Sequence, residues 1–470
     1  MPTGHSDDTI VAIATPPGEG GISVVRLSGP EAIPFASKGF SGKGKLAKAR
    51  SHTAHFGRFH DQDGHTIDDV VVTLFREPRS YTGQDVVEIS CHGGVFITRR
   101  ILEAFLRLGV RLAAPGEFTK RAFLNGKIDL SQAEAVADLI HAKSGRSHKA
   151  SLRQLNGELS KRITDLRSKL IEITGLLELE LDFVEDGLEF ADKKKIEEQM
   201  TGAVAQIGGL LATYKTGRLY REGVKVVLAG MPNVGKSSLL NALLRENRAI
   251  VTDIPGTTRD TIEEDLIIQG LMFKVVDTAG LRETVDQIEQ EGVRRSHDQV
   301  RISDLLLLVL DVSRPLGAEE LAMAERLVRD LKRESRPAIL VLNKIDLGEN
   351  LNGEISNSLA RIESNEVVKV SALTGKGIKD LEEALFRTAM QSGMHFEDMS
   401  VTVTNTRHYD ALRRARESLL LAIESQRNGE SGEFVAVDLR AALDSLGEIT
   451  GVVTTDDILN DIFSRFCVGK

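Results

Sequence analysis

The stretch Val224-Lys-Val-Val-Leu-Ala229-Gly230-Met-Pro-Asn-Val-Gly-Lys-Ser237 decides the fold. Its first six residues are an apolar run of strand length. The next eight fit G-x-x-x-x-G-K-S, and a helical pattern opens near Ser238. Strand, glycine-rich turn, helix is the order that phosphate binding needs. The glycines let successive backbone N–H groups curl around phosphate oxygens, and the helix N-terminus adds its partial positive charge. In such a P-loop Lys236 neutralises the outer phosphates and the Ser237 hydroxyl ligates Mg²⁺. Asn233, Val234, Gly235, Lys236, Ser237 and Ser238 are the residues expected around the phosphates.

Working outward, strand-like runs at 224–229, 273–276, 305–309, 338–342 and 367–370 alternate with helical patterns. That alternation predicts a doubly wound parallel sheet. Three short motifs follow the P-loop at strand ends. Asp277-Thr278-Ala279-Gly280 offers a carboxylate toward magnesium and an N–H toward the γ-phosphate. Asn343-Lys344-Ile345-Asp346 offers a carboxylate suited to the N1–H and N2 amine of guanine, a donor pair that adenine lacks. Ser371-Ala372-Leu373 offers a backbone N–H to guanine O6. Together they predict a guanine-nucleotide hydrolase. The place after Gly280, where many GTPases carry a water-positioning Gln, holds Leu281, so another group must orient water. Arg259 and Arg282 are candidate fingers, and Glu283, Asp286, Glu289 and Glu291 are candidate water-orienting carboxylates.

The flanks differ from this centre. Residues 9–125 break into short strand-like runs with a helical pattern at 95–108, an α+β domain with Asp63-Gly64 as a hairpin turn. The stretch 39–49 reads as a flexible loop. From about Ile128 the period becomes helical: Leu152, Leu155, Leu159, Ile163, Leu166, Leu170, Ile173 and Leu177 step by three and four along one face. Helical patterns resume after residue 380. The expected organisation is an N-terminal α+β domain (1–125), a discontinuous α-helical domain (126–220 and 381–470), and an inserted α/β P-loop GTPase domain (221–380).

Composition narrows the function classes. A net charge of -9 and only 4% aromatics argue against a whole-molecule field or stacking platform for nucleic acid. The cations Arg146, Lys149, Arg153, Lys161, Arg162, Arg167 and Lys169 read first as a solvated face, second as contacts to nucleic-acid phosphates. Two cysteines, Cys91 and Cys467, allow no disulfide framework and no zinc site. No run approaches membrane-spanning length, and the first residues carry no address, so a cytoplasmic location is the expectation.

Longer motifs carry a resemblance. With GMPNVGKSSLLN, the stretch Thr252-Asp253-Ile254-Pro255-Gly256-Thr257-Thr258 and its continuation to Asp260, DTAGLRE, Ser80–Gly94 (SYTGQDVVEISCHGG), Pro115–Ile140 and the terminal Cys467-Val-Gly-Lys470, the chain resembles the tRNA uridine-modification GTPase family MnmE, also called TrmE. The resemblance covers essentially all 470 residues. It implies a homodimer that works in a heterotetramer with an FAD-dependent partner, MnmG. Together they install an aminomethyl-type (carboxymethylaminomethyl) group on C5 of the wobble uridine of certain tRNAs. The one-carbon unit would come from formyl- or methylene-tetrahydrofolate, held in the N-terminal domain by Arg26, Glu88, Lys127 and Lys470. The resemblance further implies K⁺-dependent GTP hydrolysis, with K⁺ on Asn233, Thr252, Ile254 and Thr257, and Thr258 joining Ser237 at Mg²⁺. Glu289 would act through a water as general base beside Lys236. Cys467 would be a nucleophile or proton-handling group by its C-x-G-K context, whereas its position alone favours a buried or idle thiol. Two other readings stand beside this one: a ribosome-assembly GTPase that only binds RNA, and a one-carbon transferase regulated by its G domain.

Overall fold

The computed structural model describes residues 8–182, 193–247, 263–277, 303–348, 359, 362, 364–391 and 401–470. Two compact units emerge: residues 1–137, 154–172 and 440–470 form one, and residues 138–153 and 173–439 the other.

The first unit is organised on a sheet of strands Ile10–Ile13 (β1), Gly20–Ser28 (β2), Phe40–Gly42 (β3), Thr53–His60 (β4), Thr66–Phe75 (β5), Val86–Gly93 (β6) and Arg111–Leu112 (β7). Their order is β3-β4-β5-β6-β2-β1-β7, antiparallel throughout except for the β1–β7 pair. Alternation sets which face is covered: along β5, Val70, Val72 and Leu74 are buried while Val71 is exposed. Helices Ala32–Gly39 and Val95–Arg107 cover the apolar face with Ile33, Ala36, Ile101, Ala104 and Phe105. Cys91 joins this core, as its place in a strand predicts, and burial followed by the Asp68 charge pushes its thiol up to about 11.

The expected loop at 39–49 is only partly a loop. Phe40–Gly42 pairs with β4, and Leu46 is buried at the start of a one-turn helix. The Phe40 ring lies across the facing Gly42 and Gly57, where a Cβ on either would come within 2.6 Å of it. The apolar register at 152–177 is likewise interrupted. Gly157, with φ +81°, separates helix Gly145–Leu155 from helix Glu158–Asp182. Leu159, Ile163, Leu166, Leu170, Ile173 and Leu177 are buried on the second helix, and Leu152 on the first is exposed.

Helix Glu117–Leu124 is locked by charge. Buried Arg121 donates to the Asp8 carbonyl and carboxylate, Gln84 Oε1 and Glu117, while Arg111 bridges Asp8 and Glu117 from the other side. Burial pushes the Glu117 carboxyl up, but bonds from Arg111, the Ala114 N–H and Arg121 outweigh it and hold it below the usual range.

The second unit holds the predicted doubly wound sheet. Its strands are Val224–Ala229 (β8), Glu263–Ile268 (β9), Leu271–Asp277 (β10), Leu305–Asp311 (β11), Ala338–Asn343 (β12) and Glu366–Lys369 (β13). The order is β13-β12-β11-β8-β10-β9, parallel except for the β9–β10 hairpin. Every residue of β11 is buried, the mark of a strand covered on both faces. The hairpin turns on Gln269 and Gly270, both at positive φ, as a two-residue turn demands. Arg146 is not simply part of a solvated face: its N–H and Nε donate to the carbonyls of Gly270 and Gln269, and its guanidinium stacks over Tyr220 and Phe386.

Helices Lys193–Glu222 and Thr406–Arg427 pack together in this unit, the second capped by the Asn405 side chain. Tyr214 stacks on Tyr409 at 4.3 Å and Arg427 pairs with Glu197 at 2.6 Å. Their fit depends on Gly217, where a Cβ would lie 2.1 Å from the Val403 carbonyl oxygen. Gly217→Ala should therefore lower the urea midpoint of the helical transition although alanine is the better helix former, because overpacking costs ~1–3 kcal/mol. Gly209→Ala, on the same helix with nothing within 4 Å, should raise it by the ~0.5–1 kcal/mol alanine gains over glycine. Circular dichroism melts of both variants check the pair of signs.

Candidate functional sites

The first site is built at the carboxyl ends of the parallel strands. After β8 the chain continues to β9 and β10 on one side, then crosses to β11 on the other, so β8 borders the switch point where open α/β sheets bind ligands. The P-loop fills this place. Gly230, Asn233 and Gly235 all have positive φ, which turns the loop tightly enough for helix Lys236–Asn247 to start at once. A Cβ on Gly230 would meet the Val309 carbonyl oxygen at 2.3 Å, and one on Gly235 the Asn343 amide nitrogen at 2.4 Å. Only glycine fits at either position. The Lys236 ammonium is held inside the loop by the carbonyls of Gly230 and Met231 at 2.9 and 3.0 Å. Ser237 and Ser238 are exposed on the first turn of the helix, and Val234 is buried beneath it.

Asn343 joins this loop to the next motifs. Buried at 1% exposure, it donates from Nδ2 to the Val234 carbonyl at 2.8 Å and accepts the Ala372 N–H on Oδ1 at 3.0 Å. Lys344, at φ +67°, donates to the Asn233 carbonyl at 2.8 Å and to Asp311 at 2.7 Å. Asp346 is exposed, and its Oδ1 accepts the Ser371 hydroxyl at 2.6 Å. That bond aims the carboxylate and leaves acceptor capacity for a ligand's N–H donors. Leu373 is 82% exposed and available to pack on a flat ring. The structure thus gathers residues 233–238, 343–346 and 371–373 at one sheet end, with Asp277 closing β10 there. Residues 252–258, 278–280 and Glu289 lie outside the described residues.

The sequence pattern did not single out Asp311. It ends β11, buried, accepting the Ser313 N–H and hydroxyl as well as Lys344. Burial pushes its carboxyl up, and the bonds from Lys344 and Ser313 more than reverse this. A carboxylate ending an otherwise apolar strand was the available signal.

The second site lies in the first unit, where the C-terminal tail meets the sheet. Arg26 and Glu88 are register partners on β2 and β6, joined by bonds of 2.7 and 2.9 Å. The Arg26 guanidinium sits 6.0 Å from the Tyr81 ring centre and 5.7 Å from that of Phe118, and it donates to the Gly469 carbonyl at 3.3 Å. Gly469 is fixed by contact, since a Cβ there would lie 2.4 Å from the Ile13 carbonyl oxygen. Lys470 follows immediately. Burial and then the Arg26 charge pull its ammonium below its ordinary value, with Glu88 and Cys467 acting in the opposite sense. Cys467 is exposed, and its carbonyl accepts the Gly116 N–H at 3.4 Å. Helix Asp456–Ser464 anchors the tail through Leu459, Ile462 and Phe463, with Phe466 just beyond. Arg26, Glu88, Lys470 and Cys467 therefore share one neighbourhood. Lys127 engages a different partner, the Pro78 carbonyl at 3.0 Å. Among the described residues a third polar group, Asp61, Asp63 and His65, clusters closely enough to suit a cation, but it is a turn on the surface between β4 and β5.

Comparison with known proteins gives these arrangements a context. A family model described as the MnmE helical domain matches residues 130–467, and one described as the GTP-binding protein TrmE N-terminus matches residues 9–127. The tRNA modification GTPase MnmE of Syntrophotalea carbinolica is 45% identical over 466 residues, covering 99% of this chain and 100% of that protein. The protein of the same description from Aquifex aeolicus is 45% identical over 98% of this chain and 100% of its own. That from Lactiplantibacillus plantarum is 43% identical over 100% of both.

Proposed function

This chain belongs to the MnmE family of tRNA modification GTPases, and from that premise we propose that it hydrolyses GTP to serve the modification of the wobble uridine of certain tRNAs. The observation that carries the hydrolase half is the junction of P-loop, Asn343–Asp346 and Ser371–Leu373 at one end of the sheet. In this reading the N–H groups of residues 233–238 wrap the phosphates, and Lys236 exchanges its loop carbonyls for the β- and γ-phosphates. Asp346 reads the guanine edge while a backbone N–H of the 371–373 turn is offered to O6. Ser237, exposed where the helix begins, fits a Mg²⁺ ligand, and Thr258 is proposed as its companion. Bound Mg²⁺ would neutralise charge on the β- and γ-phosphates.

The finer chemistry belongs to the same proposal. Asn233 is exposed at the bend of the P-loop, so its amide oxygen suits a monovalent cation; Thr252, Ile254 and Thr257 would complete a K⁺ site. Glu289 would orient the attacking water, in place of the Gln absent after Gly280. In the first unit, the Arg26–Glu88 pair with its aromatic edges and the Lys470 ammonium suits a tetrahydrofolate derivative, which has ring N–H donors and carboxylates. Lys127 is proposed at the outer, carboxylate end. Cys467 is proposed as a thiol acting beside that ligand. We further propose a homodimer, an FAD-dependent MnmG-type partner, a cytoplasmic location, and domain limits of 1–125, 126–220, 221–380 and 381–470. Among the described residues no helix is long and apolar enough to cross a membrane.

Three measurements bear on this reading. Asp346→Asn should weaken GTP binding and favour xanthosine triphosphate, whose altered purine edge suits an amide; unchanged base preference in competition assays removes the assignment. Replacing K⁺ by Na⁺ at constant ionic strength should slow turnover by ~10²–10³, the usual cost of losing one charge-stabilising contact, and leave nucleotide affinity nearly intact. Equal rates in the two salts would sink the K⁺ site. Deleting 467–470 should leave GTP hydrolysis unchanged, weaken folate binding, and abolish modification when tRNA nucleosides from a complemented deletion strain are analysed by mass spectrometry. Normal modification by that variant would make the tail structural only.

A further inference from the structure

We infer that Asp311 is a positioning residue for the guanine nucleotide, acting through Lys344 to fix the shelf on which the base lies and the P-loop bend at Asn233. The inference rests on the GTPase reading of the site and goes beyond the motifs that support it. Lys344 is the only described residue to join the base-reading motif to the Asn233 carbonyl, and it does so from a left-handed backbone conformation that disfavours any side chain but glycine's. Its ammonium is divided between two acceptors, the Asn233 carbonyl at 2.8 Å and Asp311 Oδ2 at 2.7 Å. Its alkyl stem therefore spans the floor between the phosphate loop and Asp346, which lies two residues further on. A purine whose edge meets Asp346 and whose phosphates meet residues 233–238 must lie along that stem.

Asp311 is what keeps the stem in place. Its carboxylate is 7% exposed, whereas the Lys344 side chain is 30% exposed, so the buried partner sets the geometry for the more exposed one. Oδ1 is held by the Ser313 N–H at 3.0 Å and its hydroxyl at 2.6 Å, which leaves Oδ2 directed at Lys344. The backbone is secured as well, through the Val312 N–H on the Asn343 carbonyl at 3.1 Å and the β11–β12 pairing of Asp311 with Asn343. Among the described residues the other cation that approaches is Arg314, at 3.9 Å from Oδ2, and its closer contact is Glu320 at 3.2 Å. Without the Asp311 charge the ammonium has one fixed acceptor in place of two. The stem is then held at one point, the exposed Asn233 loop, and no longer braced from the buried side of the sheet.

The test uses the full chain, with GTP and GDP as probes and dissociation followed by stopped flow. Asp311→Asn keeps the size and the Ser313 acceptor but removes the charge. It should raise both dissociation constants about tenfold through faster release, the lower range for a charge-assisted bond because Lys344 is partly exposed. Lys344→Met should do the same or more. The double variant should bind no more weakly than Lys344→Met alone, within about twofold, because the two residues act as one unit. A merely structural role for Asp311 predicts instead that the two losses multiply, and that result overturns the inference, as does wild-type affinity in Asp311→Asn. Should Asp311→Asn not fold, Ser313→Ala carries the test, with about threefold weaker binding expected from a loosened carboxylate and no change counting against it. Competition of ATP with GTP on the wild type separates the two layers. Absence of guanine preference there removes the GTPase reading itself, whereas preference retained alongside unaffected variants removes only the role of Asp311.

Discussion

One buried amide holds the nucleotide site together. Asn343 spends its donor on the P-loop at Val234 and its acceptor on the Ala372 N–H, so three segments distant in sequence keep one geometry. The requirement is strict because both partners are backbone groups, the Val234 carbonyl buried and the Ala372 N–H partly so, and losing a buried bond costs ~1–3 kcal/mol. It also explains Gly235. The amide passes so close to that residue that no Cβ can be accommodated, so the glycine is required by its neighbour on β12 as much as by phosphate. The P-loop is therefore pre-formed by contacts from the base-reading side, and ligand binding need not order it from scratch.

The other candidate site depends on a comparable close approach. The C-terminal tail can bring Lys470 toward Arg26 and Glu88 only because Gly469 lies almost against the Ile13 carbonyl. Helix Asp456–Ser464 supplies the anchoring apolar area, and Gly116 allows that helix to settle where a side chain would meet the Phe463 carbonyl at 2.7 Å. The electrostatics of the site follow from this packing. A half-buried ammonium next to a guanidinium is unfavourable, and the lowered affinity of Lys470 for its proton expresses that strain. An anionic group between the two cations would relieve it, which is the physical argument behind the proposed shared ligand.

Much of this was legible in the sequence, for identifiable reasons. The G-x-x-x-x-G-K-S spacing, the apolar run Leu305–Leu310 of β11 and the Asn-Lys-Ile-Asp turn report backbone requirements that tolerate few substitutes, so pattern alone located the parallel sheet and the motifs that gather at its end. The misreadings arose where tertiary contact overrides local pattern. The glycine- and lysine-rich 39–49 stretch looks like a loop, yet Gly42 and Gly57 exist to let Phe40 cross the sheet. Arg146 looks like one more surface cation, yet it staples the β9–β10 hairpin to two aromatic rings. Asp311 looks like a strand terminus, and its value appears only when Lys344 is brought beside it. Arg26 and Glu88 are the converse case: 62 residues apart, they carry no local signal as a pair, and the β2–β6 register makes them one.

The cost of the nucleotide site can be located in its backbone. Asn233 and Lys344 both occupy left-handed conformations, disfavoured by ~1–2 kcal/mol for an ordinary residue such as Lys344 and by less for asparagine. They are also the two ends of a single hydrogen bond, Lys344 Nζ to the Asn233 carbonyl. The contacts of Lys344 with the Asn233 carbonyl and Asp311 help to hold both conformations, as expected where strain is kept for function. Asn233 turns its carbonyl inward to meet the lysine, and the same turn leaves its side chain exposed on the rim of the loop. The hydrogen bond from Lys344 to the Asn233 carbonyl thus goes together with an outward-facing Asn233 amide, the orientation the proposed cation site calls for. A change that relaxed the backbone at 233 would gain stability and lose that orientation together.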